Sequence, residues 1–99
     1  MKDQDFFLGL VKLHILHHAA HETVFGFGII EELSRHGYHL SPGTIYPLLH
    51  SMERSGYLRS NPEERNGRVR KIYRATARGK RVLRKSREKI TELFKELVH

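Results

Sequence analysis

Two stretches with helical hydrophobic periodicity, residues 26–36 and 42–55, constrain the fold of this chain more than any other feature. In the second stretch, apolar residues recur at i, i+3, i+4 and i+7, which is the spacing of a helix with one buried face. The apolar positions are Ile29, Ile30 and Leu33 in the first stretch, and Ile45, Leu48, Leu49 and Met52 in the second. Because only a short turn separates the two predicted helices, they form a helix-turn-helix.

The residues around the second predicted helix support this assignment and add a hairpin. Ser41 predicts an N-cap hydroxyl, and Pro42 suits the first helical position, where a missing N–H costs nothing. Residues 57–75 predict two strands, because the dipeptide Asn66-Gly67 is the strongest hairpin signal in the chain. We expect residues 62–68 to form the loop of this hairpin.

Long helices are predicted on both sides of this unit, over residues 5–20 and 76–98. The first is apolar around almost its whole circumference, as is typical of a helix buried on more than one side. The last carries an imperfect heptad seam. Since soluble monomers rarely expose apolar patches of this size, we expect a homodimer. The predicted dimerisation residues are Phe7, Leu8, Val11, Ile15, Leu83, Ile90, Leu93, Phe94 and Leu97.

These elements together predict one domain over residues 1–99. Its fold class is α+β and mostly helical, a winged helix-turn-helix with flanking N- and C-terminal dimerisation helices.

The distribution of charge narrows the class of partner. Of a formal net charge of +7, the segment 59–89 alone carries +10, with 13 Lys or Arg and 3 acids. A basic segment that includes a hairpin tip is typical of a surface that binds a polyanion. No apolar run approaches the length needed to span a bilayer, and no targeting segment precedes the first helix, so we expect no membrane partner.

Residue types that the chain lacks exclude other functions. There are no cysteines, which excludes disulfides and thiolate metal sites and favours a bacterial cytoplasm. No catalytic constellation or glycine-rich phosphate loop is present, so the sequence predicts no enzyme and no cofactor.

In a helix-turn-helix, the second helix enters the major groove of double-stranded DNA and its first residues meet base edges. The outward positions of residues 42–55 and the hairpin tip are therefore the predicted DNA-binding surface. Its residues are Ser41, Pro42, Gly43, Thr44, Tyr46, Pro47 and His50 in the helix, and Arg65, Asn66, Arg68, Arg70 and Lys71 in the hairpin.

Several of these motifs resemble the PadR-type winged-helix transcriptional regulators, over roughly residues 8 to 85. The most specific is the run Ser-Pro-Gly-Thr-Ile-Tyr-Pro at 41–47; Gly26 to Leu33 and the stretch from Lys71 to Gly79 also match. The resemblance implies a homodimeric repressor relieved by a small-molecule effector. With a single helix after the hairpin, the chain matches the short subgroup. It lacks the tryptophan on which drug-binding members stack their ligands, so the effector is unidentified.

Eight histidines are present, four of them in the first helix. The pairs His14/His18 and His17/His21 each have the i, i+4 spacing that lets two imidazoles share a metal ion. Histidines near the C-terminal end of a helix also interact favourably with its dipole, and we assign no metal from the sequence. Three functions stay open: a DNA-binding repressor, a histidine-rich metal-sensing regulator, and a winged-helix module that binds protein or RNA.

Overall fold

The computed structural model describes residues 1–99 and contains four helices and one antiparallel hairpin. Each helix begins and ends within two residues of its predicted limits. None of the four combines the length and the apolarity that crossing a bilayer requires. In chain order the elements are α1 (Asp3–His21), α2 (Gly26–Arg35), α3 (Pro42–Arg54), β1 (Leu58–Arg65), β2 (Arg68–Ala75) and α4 (Ala77–Leu97).

One apolar core joins α1, α2, α3 and the base of the hairpin. The predicted buried faces of α2 and α3 are confirmed, because Ile29, Leu33, Ile45 and Leu49 are almost completely buried. All of its members are apolar except for the hydroxyl of Tyr73, so burial of hydrocarbon stabilises the arrangement. The members are Val11, Ile15, Leu16, Ala19, Val24, Ile29, Leu33, Ile45, Leu49, Met52, Leu58 and Tyr73.

Two predicted dimerisation residues belong to this core. Val11 and Ile15 are 1% and 0% exposed, so neither has surface left for a second chain, and their assignment to an interface is wrong. Leu8 is half-buried. The apolar surface that α1 leaves exposed lies nearer its N-terminus, at Phe6, Phe7 and Leu10. The apolar pattern of α1 predicted a helix that is covered on two sides. It did not show which of these sides packs against the core of the same chain.

The strands of the hairpin are longer, and its turn is shorter, than predicted. β1 and β2 pair without interruption from Leu58↔Ala75 to Arg65↔Arg68, so residues 62–65 and Arg68 are strand rather than loop. Asn66 and Gly67 alone form the turn, with φ of 54° and 76°, the two left-handed conformations that a type I′ turn requires. Proline at position 62 obscured the strand, but both strands of a two-stranded sheet are edge strands, where proline is tolerated.

Polar contacts tie α3 to the hairpin and to α4. The Glu53 carboxylate accepts hydrogen bonds from the Ser60 backbone N–H (3.1 Å) and hydroxyl (2.5 Å). The Thr76 hydroxyl donates to the Gly56 carbonyl at 2.6 Å and accepts from the Gly79 N–H at 3.1 Å, which caps α4. These hydrogen bonds hold the end of α3 to the base of the hairpin and to the start of α4.

The contact between Glu53 and Ser60 gives a testable pH dependence. The hydrogen bond from the Ser60 hydroxyl lowers the pKa of Glu53, because it favours the ionised carboxylate, and the effect outweighs the opposing effect of burial. A carboxylate with a lowered pKa stabilises the fold above the ordinary carboxyl pKa, about 4.3, and that contribution disappears as the pH falls through the lowered value.

We expect Glu53→Gln to lower the free energy of unfolding at pH 7 by about 1 kcal/mol. The difference from wild type should shrink below about pH 4. Urea unfolding followed by circular dichroism at several pH values measures it. The control is Glu64→Gln, since the Glu64 side chain is exposed and makes no hydrogen bond or ion pair. A difference between Glu53→Gln and wild type that is constant with pH contradicts the prediction.

Candidate nucleic-acid interface

Helix α3 has one buried face and one exposed face. Ile45, Leu49 and Met52 point into the core. Tyr46, Pro47 and His50 lie on the opposite side and are exposed, and Thr44 is half-exposed beside them. The structure thus presents the outward positions of α3 as one continuous surface.

The first turn of α3 differs from the prediction in one respect. Ser41 occupies the N-cap with extended backbone angles (φ −83°, ψ 161°), but its hydroxyl does not accept a hydrogen bond from the helix backbone. The hydroxyl lies 3.5 Å from that of Thr44 instead. The backbone N–H groups of Thr44 and Ile45 bond to the Ser41 carbonyl, whereas that of Gly43 has no partner within the chain. A free amide at a helix N-terminus suits an anionic oxygen.

Tyr46 connects α3 to the start of α2. A Cβ atom built on Gly26 falls 2.3 Å from Tyr46 Cε1, so only glycine allows the ring to lie where it does. Behind this contact, a groove runs between α3 and the hairpin. The groove is lined by Phe25, Gly26, Tyr46, His50, Arg70, Lys71 and Tyr73. Four of the predicted residues, Tyr46 and His50 of α3 with Arg70 and Lys71 of β2, therefore border one concave surface.

Arg70 stands apart from the other cations of the hairpin. Its guanidinium donates to the Glu63 carboxylate through Nη2 (3.0 Å) and Nε (3.3 Å). The same group stacks over the Phe25 ring, 3.7 Å from its centre, a cation–π contact. Neither Glu63 nor Phe25 was singled out from the sequence. The pairing of Glu63 with Arg70 follows from the strand register, which could be derived once the Asn66-Gly67 turn was taken as two residues.

The remaining hairpin residues lie free at the surface. Arg68 and Lys71 are exposed and have no acidic partner within 4 Å, and Asn66 is exposed in the turn. Arg65 is exposed and makes one long contact, 3.8 Å from its Nε to Glu63. Unpaired arginine and lysine side chains at a hairpin tip are suited to phosphate oxygens or to a narrow minor groove.

The structure separates the four histidines of α1 into two groups. His14 and His18 come together with His36, which follows α2. His17 and His21 lie near each other, with ring centres 4.9 Å apart, and no third ligand joins them. The i, i+4 spacing of Glu32 and His36 is a signal of the same kind as that of His14 and His18, and it could have been recognised in the sequence.

Comparison with known proteins identifies the family. The model of the Transcriptional regulator PadR-like family matches residues 15–85. Among characterised proteins, Transcriptional regulator Rv3488 of Mycobacterium tuberculosis is 46% identical over 95 residues, which cover 96% of this chain and 89% of that protein. Regulators of this family bind DNA and are not enzymes.

Solved structures agree with this match. A PadR family transcriptional regulator from Eggerthella lenta superposes with a TM-score of 0.81 at 28% identity, over 94% of this chain and 82% of that one. A PadR-like transcriptional regulator from Bacillus cereus gives 0.79 at 26% identity, over 96% and 97%. The winged-helix fold predicted from the sequence is therefore confirmed, and the chain is a transcriptional regulator of the PadR-like family.

Proposed function

We propose that the chain is a homodimeric repressor that binds an inverted-repeat DNA operator. The observation that carries the proposal is the groove between α3 and the hairpin, where the exposed His50 of α3 faces the same concave surface as Lys71 of β2. A helix and a hairpin that border one basic groove fit the major groove of DNA and the flanking backbone at the same time.

The proposed contacts with DNA are of two kinds, those with base edges and those with phosphates. Thr44 and His50 lie on the exposed side of α3 and supply groups that read base edges in the major groove. The free N–H of Gly43 binds a phosphate, and Arg68 and Lys71 bind phosphates or enter the minor groove. Arg70 acts differently, because Glu63 and Phe25 already occupy its guanidinium. Its role is to hold the hairpin against the start of α2.

The second half of α4 supports the dimer. Its apolar residues have no cover within the chain: Phe94 is 59% exposed and Leu97 is 73% exposed. Earlier in α4, Ile90 lines the same surface cleft as Leu10 of α1, which packs beside α4. Burying each such side chain stabilises an association by about 1.5–3 kcal/mol. A second copy of the chain provides a matching apolar surface. The exposed residues of the α4 seam are Ile90, Leu93, Phe94 and Leu97, and the exposed Val98 follows the last residue of the helix.

The division of the elements between DNA reading and dimerisation supports the proposal of a repressor. The hairpin and α2–α3 form the DNA-reading unit, and α1 and α4 carry the apolar dimer surface. A regulator built in this way acts by occupying its operator. A winged helix that binds RNA or protein is less well supported, because the proteins that this chain resembles in sequence and fold are transcriptional regulators.

The DNA interface is tested by salt dependence. We expect Arg68→Ala to weaken binding to specific and unrelated DNA alike and to reduce the slope of log K against log salt by about 1, since one phosphate contact is lost. Thr44→Ala should instead reduce discrimination between operator and unrelated DNA, with the salt slope unchanged. Fluorescence anisotropy with the chain's own upstream DNA, at several salt concentrations, measures both quantities.

Arg84→Ala is the matched control for Arg68→Ala, because Arg84 is another exposed arginine without an ion pair but lies on α4. If both variants reduce the slope of log K against log salt equally, the effect comes from general surface charge. The assignment of a phosphate contact to the hairpin is then wrong.

The dimer is tested by mass in solution. We expect the wild type to sediment at twice the chain mass of 11.6 kDa and Phe94→Asp to sediment at the single-chain mass, because a carboxylate in the seam leaves a buried unpaired charge. Phe27→Asp is the control, since Phe27 on α2 is equally exposed, at 61%. A monomeric wild type, or dissociation by Phe27→Asp alone, contradicts the proposed interface.

A further inference from the structure

Three imidazoles meet between α1 and the C-terminal end of α2. His14 and His18 lie one turn apart on α1, and His36 follows the last residue of α2. Their potential ligand nitrogens all lie within 4.8 Å of one another. The rings of His14 and His36 are stacked at a tilt, with centres 4.7 Å apart.

The end of α2 fixes the position of His36. Gly37 takes a left-handed φ of 89°, and the backbone N–H groups of Gly37 and Tyr38 bond to the carbonyls of Ser34 and Leu33, at 3.0 and 2.9 Å. This pair of bonds is a Schellman motif, which stops the helix sharply. The His14 ring also contacts Tyr38 edge-on, with centres 5.4 Å apart. The backbone and its packing thus hold His36 against α1.

Glu32 brings a carboxylate to the same point, one turn before His36. Its Oε1 lies 3.3 Å from His18 Nε2 and 3.4 Å from His36 Nε2. Nitrogen and oxygen ligands at about 2.0–2.1 Å from a tetrahedral zinc ion are separated by about 3.3–3.4 Å, the edge of the tetrahedron. Two of the six ligand-to-ligand edges of such a site, both from Glu32 Oε1, therefore already have the required length. Glu32 is not one of the residues whose ligand atoms all lie within 4.8 Å of one another, so the four ligand atoms must draw together when an ion binds.

The surroundings leave these atoms available. The other oxygen of Glu32, Oε2, accepts a hydrogen bond from Arg35 at 2.5 Å, so Oε1 remains for the cluster. Burial, together with the neighbouring imidazoles of His36 and His18, lowers the pKa of His14, which favours the neutral ring. The side chains of His18, Glu32 and His36 are 21%, 26% and 44% exposed, so an ion can enter from solvent.

We propose that His14, His18, His36 and Glu32 form a binding site for one divalent transition-metal ion of the zinc class. Each imidazole supplies one nitrogen and Glu32 supplies Oε1. Imidazole-rich sites prefer zinc, copper, nickel and cobalt over magnesium or calcium, which bind oxygen. The carboxylate of Glu32 is oriented by Arg35, as the ligands of protein metal sites commonly are by a hydrogen-bonded neighbour.

The site bridges α1 to α2, the first helix of the DNA-reading unit. A bound ion would fix the angle between that unit and α1, which carries part of the proposed dimer surface. Metal binding would then set the distance between the two α3 helices of a dimer. This regulatory consequence rests on the proposed function, whereas ion binding by the four side chains does not.

Metal uptake by the tag-free chain, without DNA, tests the site independently of DNA binding. We expect equilibrium dialysis to give one Zn(II) per chain, and Co(II) to give the intense visible absorption of a four-coordinate site that Zn(II) then abolishes. His36→Gln should weaken Zn(II) binding by about 100-fold or more, since losing a ligand exceeds the effect of losing an outer hydrogen-bond partner. Its circular dichroism should match wild type, because His36 is exposed and outside the core.

His21→Gln is the matched control. His21 also belongs to an i, i+4 histidine pair on α1, but its Nδ1 lies 2.7 Å from the His17 carbonyl and it is outside the cluster. We expect Zn(II) affinity within about twofold of wild type. Three results would overturn the site: no uptake by the wild type, unchanged affinity in folded His36→Gln, or loss of binding in His21→Gln.

Discussion

The direction in which α3 faces depends on two of its residues, Ile45 and Leu49, which are both 0% exposed. They belong to the same core as Ile15 of α1 and Leu33 of α2. Because a packed apolar core has few alternative arrangements, their burial forces Tyr46, Pro47 and His50 to the opposite side. The surface that we propose to meet DNA is thus a consequence of which residues the helix must hide.

The hairpin is held to this core by a small number of contacts of different kinds. Tyr73 is buried, and its backbone pairs with Val24 between α1 and α2, at 2.7 and 2.9 Å. Glu53 bonds to Ser60, and Arg70 stacks on Phe25. The hairpin tip itself, from Arg65 to Arg68, has no such contact. In the proposed complex, a firm base with a free basic tip would let the hairpin follow the DNA backbone while α3 keeps its angle.

The sequence was sufficient to predict most of the elements. The buried faces of α2 and α3 could be predicted from the spacing of their apolar residues, and Asn66-Gly67 located the turn. Residues 62–65 were missed as strand because their polar side chains and proline carry no alternation. Val11 and Ile15 were assigned to the dimer interface because the periodicity shows how wide the apolar surface of α1 is. It does not show whether the same chain or a second chain covers that surface.

Contacts between elements were the least predictable part of the candidate sites. The spacing of His14 and His18 is visible along α1, but their meeting with His36 and Glu32 depends on how α2 packs on α1. Likewise, the sequence shows Arg70 only as one of several cations in the hairpin. Its position over Phe25 depends on the fold of the whole hairpin. Local chemistry was therefore predictable, and its assembly across helices was not.

Hydroxyl-radical footprinting of the protein on its own upstream DNA tests the central claim most directly. A dimer that places one α3 in the major groove of each half-site has its two helices about 34 Å apart, one turn of DNA. The account predicts two equivalent protected segments, related by inverted repeat symmetry and separated by about 10 base pairs. A single protected segment without symmetry, or no protection at moderate salt, would contradict it.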